Sequence, residues 1–199
     1  ALEYDMEFEI LDVTMMEAMG MHALLAVGQG SIHPPCLVTI KYNGAGAAPY
    51  TAYVGKGITF DSGGISIKPS DNMGEMKDDM AGAGAVLGAL RAIAALKIPC
   101  NVMGIIACAE NMPSGSAQRP GDVVKAANGK TIEVISTDAE GRMVLADAVW
   151  YACKQGAAKV VDIATLTGGV IVALGTETAG VVGNDDVSVS YTHLRAHET

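Results

Sequence analysis

Two adjacent runs decide the fold class of this chain: AGAVLGALRAIAAL at residues 83–96 and NVMGIIAC at residues 101–108. The first run is mostly Ala, Leu, Ile and Val, which predicts a buried helix, and Pro99 follows its end. The second run is apolar on both of its alternating faces, which predicts a strand that is covered on both sides. A buried helix that leads directly into a buried strand is typical of an α/β domain.

The same alternation of strands and helices continues on both sides of these runs. Toward the N-terminus, the pattern predicts strands at 7–13, 37–41 and 51–54, a short helix at 14–20 and a loop at 43–49. Toward the C-terminus, it predicts a hairpin within 123–134 that turns at Asn128-Gly129, a helix at 143–154 and a strand at 160–164. We therefore predict an α/β fold, a three-layer domain with a largely parallel central sheet covered by helices.

Composition disfavours two classes of partner. Half of the residues are hydrophobic, yet none of the apolar stretches reaches the ~18 uninterrupted positions that a membrane-spanning helix needs. The formal net charge of -9 disfavours nucleic acid and anionic membranes, because both reward clustered Lys and Arg. The four cysteines form no C-x-x-C pair, so reduced thiols in a cytoplasmic protein are expected.

Four acidic residues stand at junctions between the predicted elements. They are Asp61, Asp79, Asp138 and Glu140. Each one alone could be a helix cap or a solvated loop charge. The segments around them, 58–67 and 132–145, are however apolar or rich in glycine, and buried carboxylates demand a counter-charge. In open α/β sheets, ligands gather at the carboxyl ends of the strands, where these acids are expected.

Two divalent cations would supply the counter-charge that four carboxylates need. A two-metal centre of this kind hydrolyses amides and phosphate esters alike, so the residue pattern leaves both reactions open.

Longer motifs resemble one family. VGKGITFDSGGISIK at 54–68 and STDAEGR at 136–142 resemble the two signature stretches of the leucyl (cytosol) aminopeptidase family, with Ser136 where the family has Asn. KDDM at 77–80, ENMPS at 110–114 and DIATLTG at 162–168 are similar to further family segments in the same order. The resemblance implies a partial catalytic (peptidase) domain at 1–186, truncated at its C-terminal side. Residues 187–199 depart from the family and are expected to be a non-native, adaptor- or vector-derived tail.

The resemblance also implies a chemistry and a set of residues for it. It implies an aminopeptidase that removes N-terminal Leu and similar residues from peptides through a hydroxide bound to two metal ions. The implied ligands are Asp61, Asp138 and Glu140 for one ion, and Lys56, Asp61, Asp79 and Glu140 for the other. Lys68 would polarise the scissile carbonyl, and Arg142 would hold a bicarbonate that serves as base. The expected ions are Mn or Zn, with Mg or Co as alternatives.

The remaining implications concern substrates and assembly. The counterparts of Met76, Thr165, Leu166 and Gly168 line the family's substrate pocket, and the substrates are peptides with a free N-terminus. The full-length parent is expected to form a homo-hexamer in the cytoplasm. Two alternatives stay open: a two-metal phosphoesterase, although His22 and His33 lie far from the acids in sequence, and a DNA-binding regulatory role, against which the acidic charge speaks.

Overall fold

The computed structural model of the chain describes residues 1–184, within which the chain forms two compact units, Ala1–Thr165 and a second unit that begins at Leu166. The first unit contains seven strands: β1 (Glu7–Leu11), β2 (Cys36–Asn43), β3 (Tyr50–Asp61), β4 (Asn101–Asn111), β5 (Val123–Lys125), β6 (Thr131–Glu133) and β7 (Ala157–Ile163). Its α-helices are α1 (Val13–Ala18), α2 (His22–Gly28), α3 (Ala81–Ala95) and α4 (Glu140–Lys154). Short 3-10 helices occupy Leu2–Tyr4 and Met73–Asp78.

A five-stranded sheet with the order β1-β2-β4-β3-β7 forms the centre of the first unit. β3 runs parallel to both of its neighbours, β4 and β7. β2 is antiparallel to both β1 and β4, so it alone opposes the direction shared by the other strands of this sheet. The predicted α/β fold with a largely parallel central sheet is thus confirmed.

Helices cover the two faces of this sheet. α3 packs against β3 and β4, where Val86 and Leu90 join Ile106 in one hydrophobic cluster. α2 and α4 pack against the opposite face, where Leu24 and Val144 belong to a second, larger cluster. Helix, sheet and helix therefore form the three layers expected from the sequence.

Three elements differ from the prediction, one of which is α2, a helix that the sequence analysis did not predict. β3 is far longer than the strand predicted at 51–54, because it continues through Gly55, Lys56 and Gly57 as far as Asp61. The hairpin formed by β5 and β6 turns at Gly129 as predicted, but it is a separate two-stranded sheet. Asp138 and Glu140 consequently follow this hairpin, and not a strand of the central sheet as the sequence analysis assumed.

The second unit begins at Leu166 and includes α5 (Gly169–Leu174). The tail predicted at 187–199 lies outside the described residues, so the domain boundary at 186 stays a prediction. Within residues 1–184, no helix combines the length and the apolar character that crossing a membrane requires.

Candidate metal centre

The four acids predicted as metal ligands lie at the ends of elements. Asp61 is the last residue of β3, Asp79 follows the 3-10 helix before α3, Asp138 lies in the turn before α4, and Glu140 is the first residue of α4. Asp61, Asp138 and Glu140 each offer a carboxylate oxygen, and these oxygens all lie within 4.8 Å of one another. Asp61 and Glu140 are buried, whereas Asp138 is exposed. The structure therefore brings three of the four acids together directly.

Because α3 packs closely on the sheet, Asp79, which lies just before α3, is near the other acids. A Cβ atom on Gly55 of β3 would lie 2.7 Å from the Cα atom of Ala83. A Cβ atom on Gly82 would lie 2.1 Å from the carbonyl oxygen of Ile163 in β7. Glycine at these two positions therefore lets the start of α3, and Asp79 just before it, approach the strands.

Lys56 connects Asp79 to the other acids. Its side chain projects from β3 and is almost fully buried. Its Nζ lies 2.7 Å from Asp79 Oδ1 and 2.8 Å from Glu140 Oε1, and it donates to the carbonyl oxygen of Thr165 at 2.7 Å. An ammonium group has three hydrogens, and here three acceptors surround it. Lys56 thus occupies a position between two of the carboxylates that the sequence analysis assigned to one metal ion.

Lys68 contacts the two acids that Lys56 does not contact. Its Nζ lies 2.9 Å from Asp61 Oδ2 and donates a hydrogen bond to Asp138. Burial alone would lower the pKa of Lys68, but its hydrogen bonds to Asp138 and Asp61 and their charges outweigh burial and raise it. Lys68 is therefore a persistent positive charge at the partly open side of the site.

Two of the acids resist ionisation in this environment. Burial, together with the charge of Asp61, raises the pKa of Glu140 to about 7, although Lys56 opposes the shift. Burial likewise raises the pKa of Asp79 against the opposing effects of Lys56 and Thr165. Both shifts mean that the lysines compensate the buried negative charge only in part.

This arrangement fits divalent cations. Four carboxylates surround two lysines, which leaves an excess of negative charge when all the acids are ionised. The Oδ2 atom of Asp79 is buried and has no hydrogen-bond partner among the described residues. A buried carboxylate oxygen without a donor carries a desolvation cost that a coordinated cation would relieve.

Asn111 is a residue of the site that the sequence analysis did not assign. It ends β4 and is almost completely buried. Its side-chain amide donates to Asp61 Oδ1 at 2.8 Å and to the carbonyl oxygen of Thr137 at 2.9 Å. The backbone N–H of Gly63 also donates to Asp61 Oδ1, at 2.9 Å, so this oxygen is held while Oδ2 faces Lys68. Asn111 therefore orients the carboxylate of Asp61.

Thr137 joins the two loops that carry the acids. Its hydroxyl donates to the carbonyl oxygen of Gly63 at 2.6 Å and accepts from the N–H of Ser66 at 2.8 Å. Its own N–H donates to the hydroxyl of Ser66 at 3.1 Å. Gly63 has a φ of 89°, and a Cβ atom there would lie 2.4 Å from the carbonyl oxygen of Ser66, so the loop requires glycine. Both Asn111 and Thr137 belong to motifs quoted above, which is the signal that could have identified them.

The other predicted site residues are less closely connected. Arg142 lies in the first turn of α4, is exposed, and makes no ion pair with any residue in 1–184. Thr165 donates from its hydroxyl to Asp79 Oδ1 at 2.7 Å. Met76 is half-buried in the 3-10 helix before Asp79. Leu166 and Gly168 belong to the second unit, and their assignment to a substrate pocket stays a prediction.

Comparisons with known proteins point to one family. The family described as "Cytosol aminopeptidase family, catalytic domain" matches residues 1–199. A "Probable cytosol aminopeptidase" of Pseudomonas fluorescens is 54% identical over 184 residues, which are 92% of this chain and 37% of the relative. One of Afipia carboxidovorans is 56% identical over 181 residues, which are 89% of this chain and 36% of that protein.

A third relative, the "Cytosol aminopeptidase" of Pseudomonas aeruginosa, is 53% identical over 186 residues, which are 92% of this chain and 37% of the relative. The chain thus spans little more than a third of the length of the curated relatives that it matches.

Proposed function

Because the chain belongs to the cytosol aminopeptidase family, we propose that its full-length protein is a metal-dependent aminopeptidase, which hydrolyses the bond after the N-terminal residue of a peptide. One observation carries this proposal. Carboxylate oxygens of Asp61, Asp138 and Glu140 lie within 4.8 Å of one another, and Lys56 joins Asp79 to this group. Asp61, Asp79 and Glu140 are buried, and buried carboxylates are stable only with positive charge beside them.

Two divalent cations would complete the site. Asp61, Asp138 and Glu140 would hold one, and Lys56, Asp61, Asp79 and Glu140 would hold the other, with Mn or Zn as the expected ions and Mg or Co as alternatives. When bound, such cations polarise the scissile carbonyl and supply a nucleophile at neutral pH. A protonated ammonium has no lone pair, so Lys56 Nζ must release a proton before it can act as a ligand.

Lys68 would stabilise the negative charge that develops on the carbonyl oxygen during hydrolysis. Its charge is secured by Asp61 and Asp138, and its side chain lies at the partly open side of the site. A fixed positive charge directed at a developing oxyanion is one of the strongest contributions to catalysis. Lys68 contacts Asp61 and Asp138, which would bind cations. Its ammonium group would therefore lie beside the metal ions, where the scissile carbonyl of the substrate would bind.

Arg142 would hold a bicarbonate ion that accepts a proton from the reacting water. Arg142 is exposed in the first turn of α4, and it makes no ion pair with the described residues. A guanidinium fork matches a planar carboxylate-like anion in bidentate fashion. The start of α4 adds favourable helix-dipole potential for an anion.

The substrates would be peptides with a free N-terminus and Leu or a similar first residue. Met76, Thr165, Leu166 and Gly168 would line the pocket for that residue. Of these, Thr165 donates from its hydroxyl to Asp79, and its carbonyl oxygen accepts from Lys56. We further propose that the full-length protein is a cytoplasmic homo-hexamer, as the family resemblance implies.

The test is hydrolysis of leucine p-nitroanilide by the full-length protein before and after chelation. We expect activity to disappear on chelation and to return with Mn or Zn. A phosphate ester in the same assay examines the phosphoesterase alternative. Activity toward the anilide that survives thorough chelation, or activity toward the phosphate ester alone, would contradict the proposal.

A further inference from the structure

Two cysteines lie directly opposite each other on neighbouring strands of the central sheet, near the edge where β3 and β4 end. Cys36 is the first residue of β2, and its direct antiparallel partner is Cys108 on β4. Directly opposite residues of an antiparallel pair project their side chains to the same face of the sheet. Both cysteines are free and partly exposed.

The backbone places the two residues at a separation that a disulfide can span. Directly opposite residues in an antiparallel ladder have Cα atoms about 4.5–5.5 Å apart. Disulfides join residues whose Cα atoms are about 4.4–6.8 Å apart. Closing a bond between Cys36 and Cys108 therefore requires no change in strand register.

The two thiols differ in their readiness to react. A hydrogen bond from the Cys108 thiol to Cys36 outweighs burial and lowers the pKa of Cys36 to about 7. The same hydrogen bond, together with burial, raises the pKa of Cys108. Since the thiolate is the nucleophile in disulfide exchange, Cys36 is suited to attack first and Cys108 to react second.

We propose that Cys36 and Cys108 form a redox-modification site, at which small-molecule disulfides of the type RS–SR oxidise the pair to a cross-strand disulfide. The Cys36 thiolate attacks one sulfur of RS–SR, which forms a mixed disulfide and releases RS⁻. Cys108 then loses its proton and attacks the Sγ of Cys36, which forms the Cys36–Cys108 bond and releases the second RS⁻. The two protein thiols are oxidised, RS–SR is reduced, and the two released thiolates take up the two protons.

The other two cysteines provide internal controls. Cys153 is exposed on α4, and Cys100 precedes β4; neither is paired with a cysteine in the strand ladders of the described residues. A small disulfide can therefore form at most a mixed disulfide with them. Cleavage after methionine places all four cysteines in separate fragments, 22–73, 81–103, 104–112 and 144–199, so each thiol can be followed by mass.

The experiment incubates the reduced full chain with oxidised glutathione, blocks the remaining thiols with N-ethylmaleimide, cleaves after methionine and analyses the fragments by mass spectrometry. We expect a cross-link between fragments 22–73 and 104–112 that dithiothreitol removes. Cys153→Ser should leave this cross-link unchanged, and Cys108→Ser should accumulate the glutathione adduct on Cys36.

Two results would overturn the proposal. One is that Cys36 and Cys108 are blocked by N-ethylmaleimide as completely as Cys100 after incubation with the disulfide. The other is that the glutathione adduct persists on Cys36 although Cys108 is present. The wild-type cross-link is the primary measurement, so the conclusion does not depend on the folding of either variant.

Discussion

Asn111→Ala tests whether Asn111 orients a metal ligand, and a control variant separates this effect from a general loss of stability. The variant loses the hydrogen bonds from the side-chain amide to Asp61 Oδ1 and to the carbonyl oxygen of Thr137. A hydrogen bond to a charged group contributes about 1.5–3 kcal/mol and one to a neutral group about 0.5–1.5 kcal/mol. The free energy of unfolding should therefore fall by roughly 2–4.5 kcal/mol.

Loss of Asn111 should also weaken metal binding. Asp61 Oδ1 would keep only the N–H of Gly63 as a donor, so its carboxylate would rotate more freely. Removal of a hydrogen-bond partner of a metal ligand typically costs about 10–100-fold in metal affinity. We expect a loss in this range for Mn, measured by competition with a chromogenic chelator. Mn suits this assay because it favours carboxylates over the thiols of the chain.

The chain provides a matched control at the other end of the same strand. Asn101 is also buried, and its side chain makes three hydrogen bonds, with the N–H of Ala45 and the carbonyl oxygens of Gly46 and Ala48. Asn101→Ala should lower the free energy of unfolding by about 1.5–4.5 kcal/mol but leave the affinity for Mn unchanged. Equal Mn affinities in the two variants would refute the reasoning.

Three further predictions follow from single side chains. Lys68→Ala should lower turnover of the full-length protein by about 100–1000-fold, far more than it changes the metal content measured by elemental analysis. Gly55→Ala should lower the melting temperature, because its Cβ would press on the backbone of Ala83, whereas Gly88→Ala on open helix surface should raise stability by roughly 0.5–1 kcal/mol. Burial raises the pKa of Asp147, so its folded-state value exceeds its unfolded value. The stability of wild type relative to Asp147→Asn should therefore be greatest at low pH and decline as pH rises through that raised pKa, as chemical denaturation at several pH values would show.

The burial of two of the acids could be predicted because it follows from local pattern. Asp61 and Glu140 interrupt runs that are otherwise apolar or rich in glycine, which marks them as buried charges. The positions of Asn111 and Thr137 could not be predicted in the same way. Asn111 donates to Asp61, which is 50 residues away in the sequence, and to Thr137, which is 26 residues away. The spacing of apolar residues along the chain does not reveal contacts between residues so far apart in sequence.

The errors in the secondary-structure prediction have similar causes. The strand pattern of β3 is hidden by Gly55, Lys56 and Gly57. α3 packs closely on Gly55, β4 packs closely on Gly57, and Lys56 contacts the acids. α2 is absent from the prediction because it lacks a side-chain cap of its own. Asp147, which is 123 residues away, accepts from the N–H of Leu24 at 2.9 Å and so replaces a local start signal.

The number of metal ions per chain tests the central claim most directly. Full-length wild-type protein, dialysed against buffer of low metal content, should retain about two divalent ions by elemental analysis. Lys56→Ala should retain about one, because Lys56 and Asp79 would serve only one of the two ions. Replacement of the exposed Lys154 by Ala is the control and should leave the count at about two. Retention of both ions by Lys56→Ala, or no bound metal in the wild type, would contradict the account.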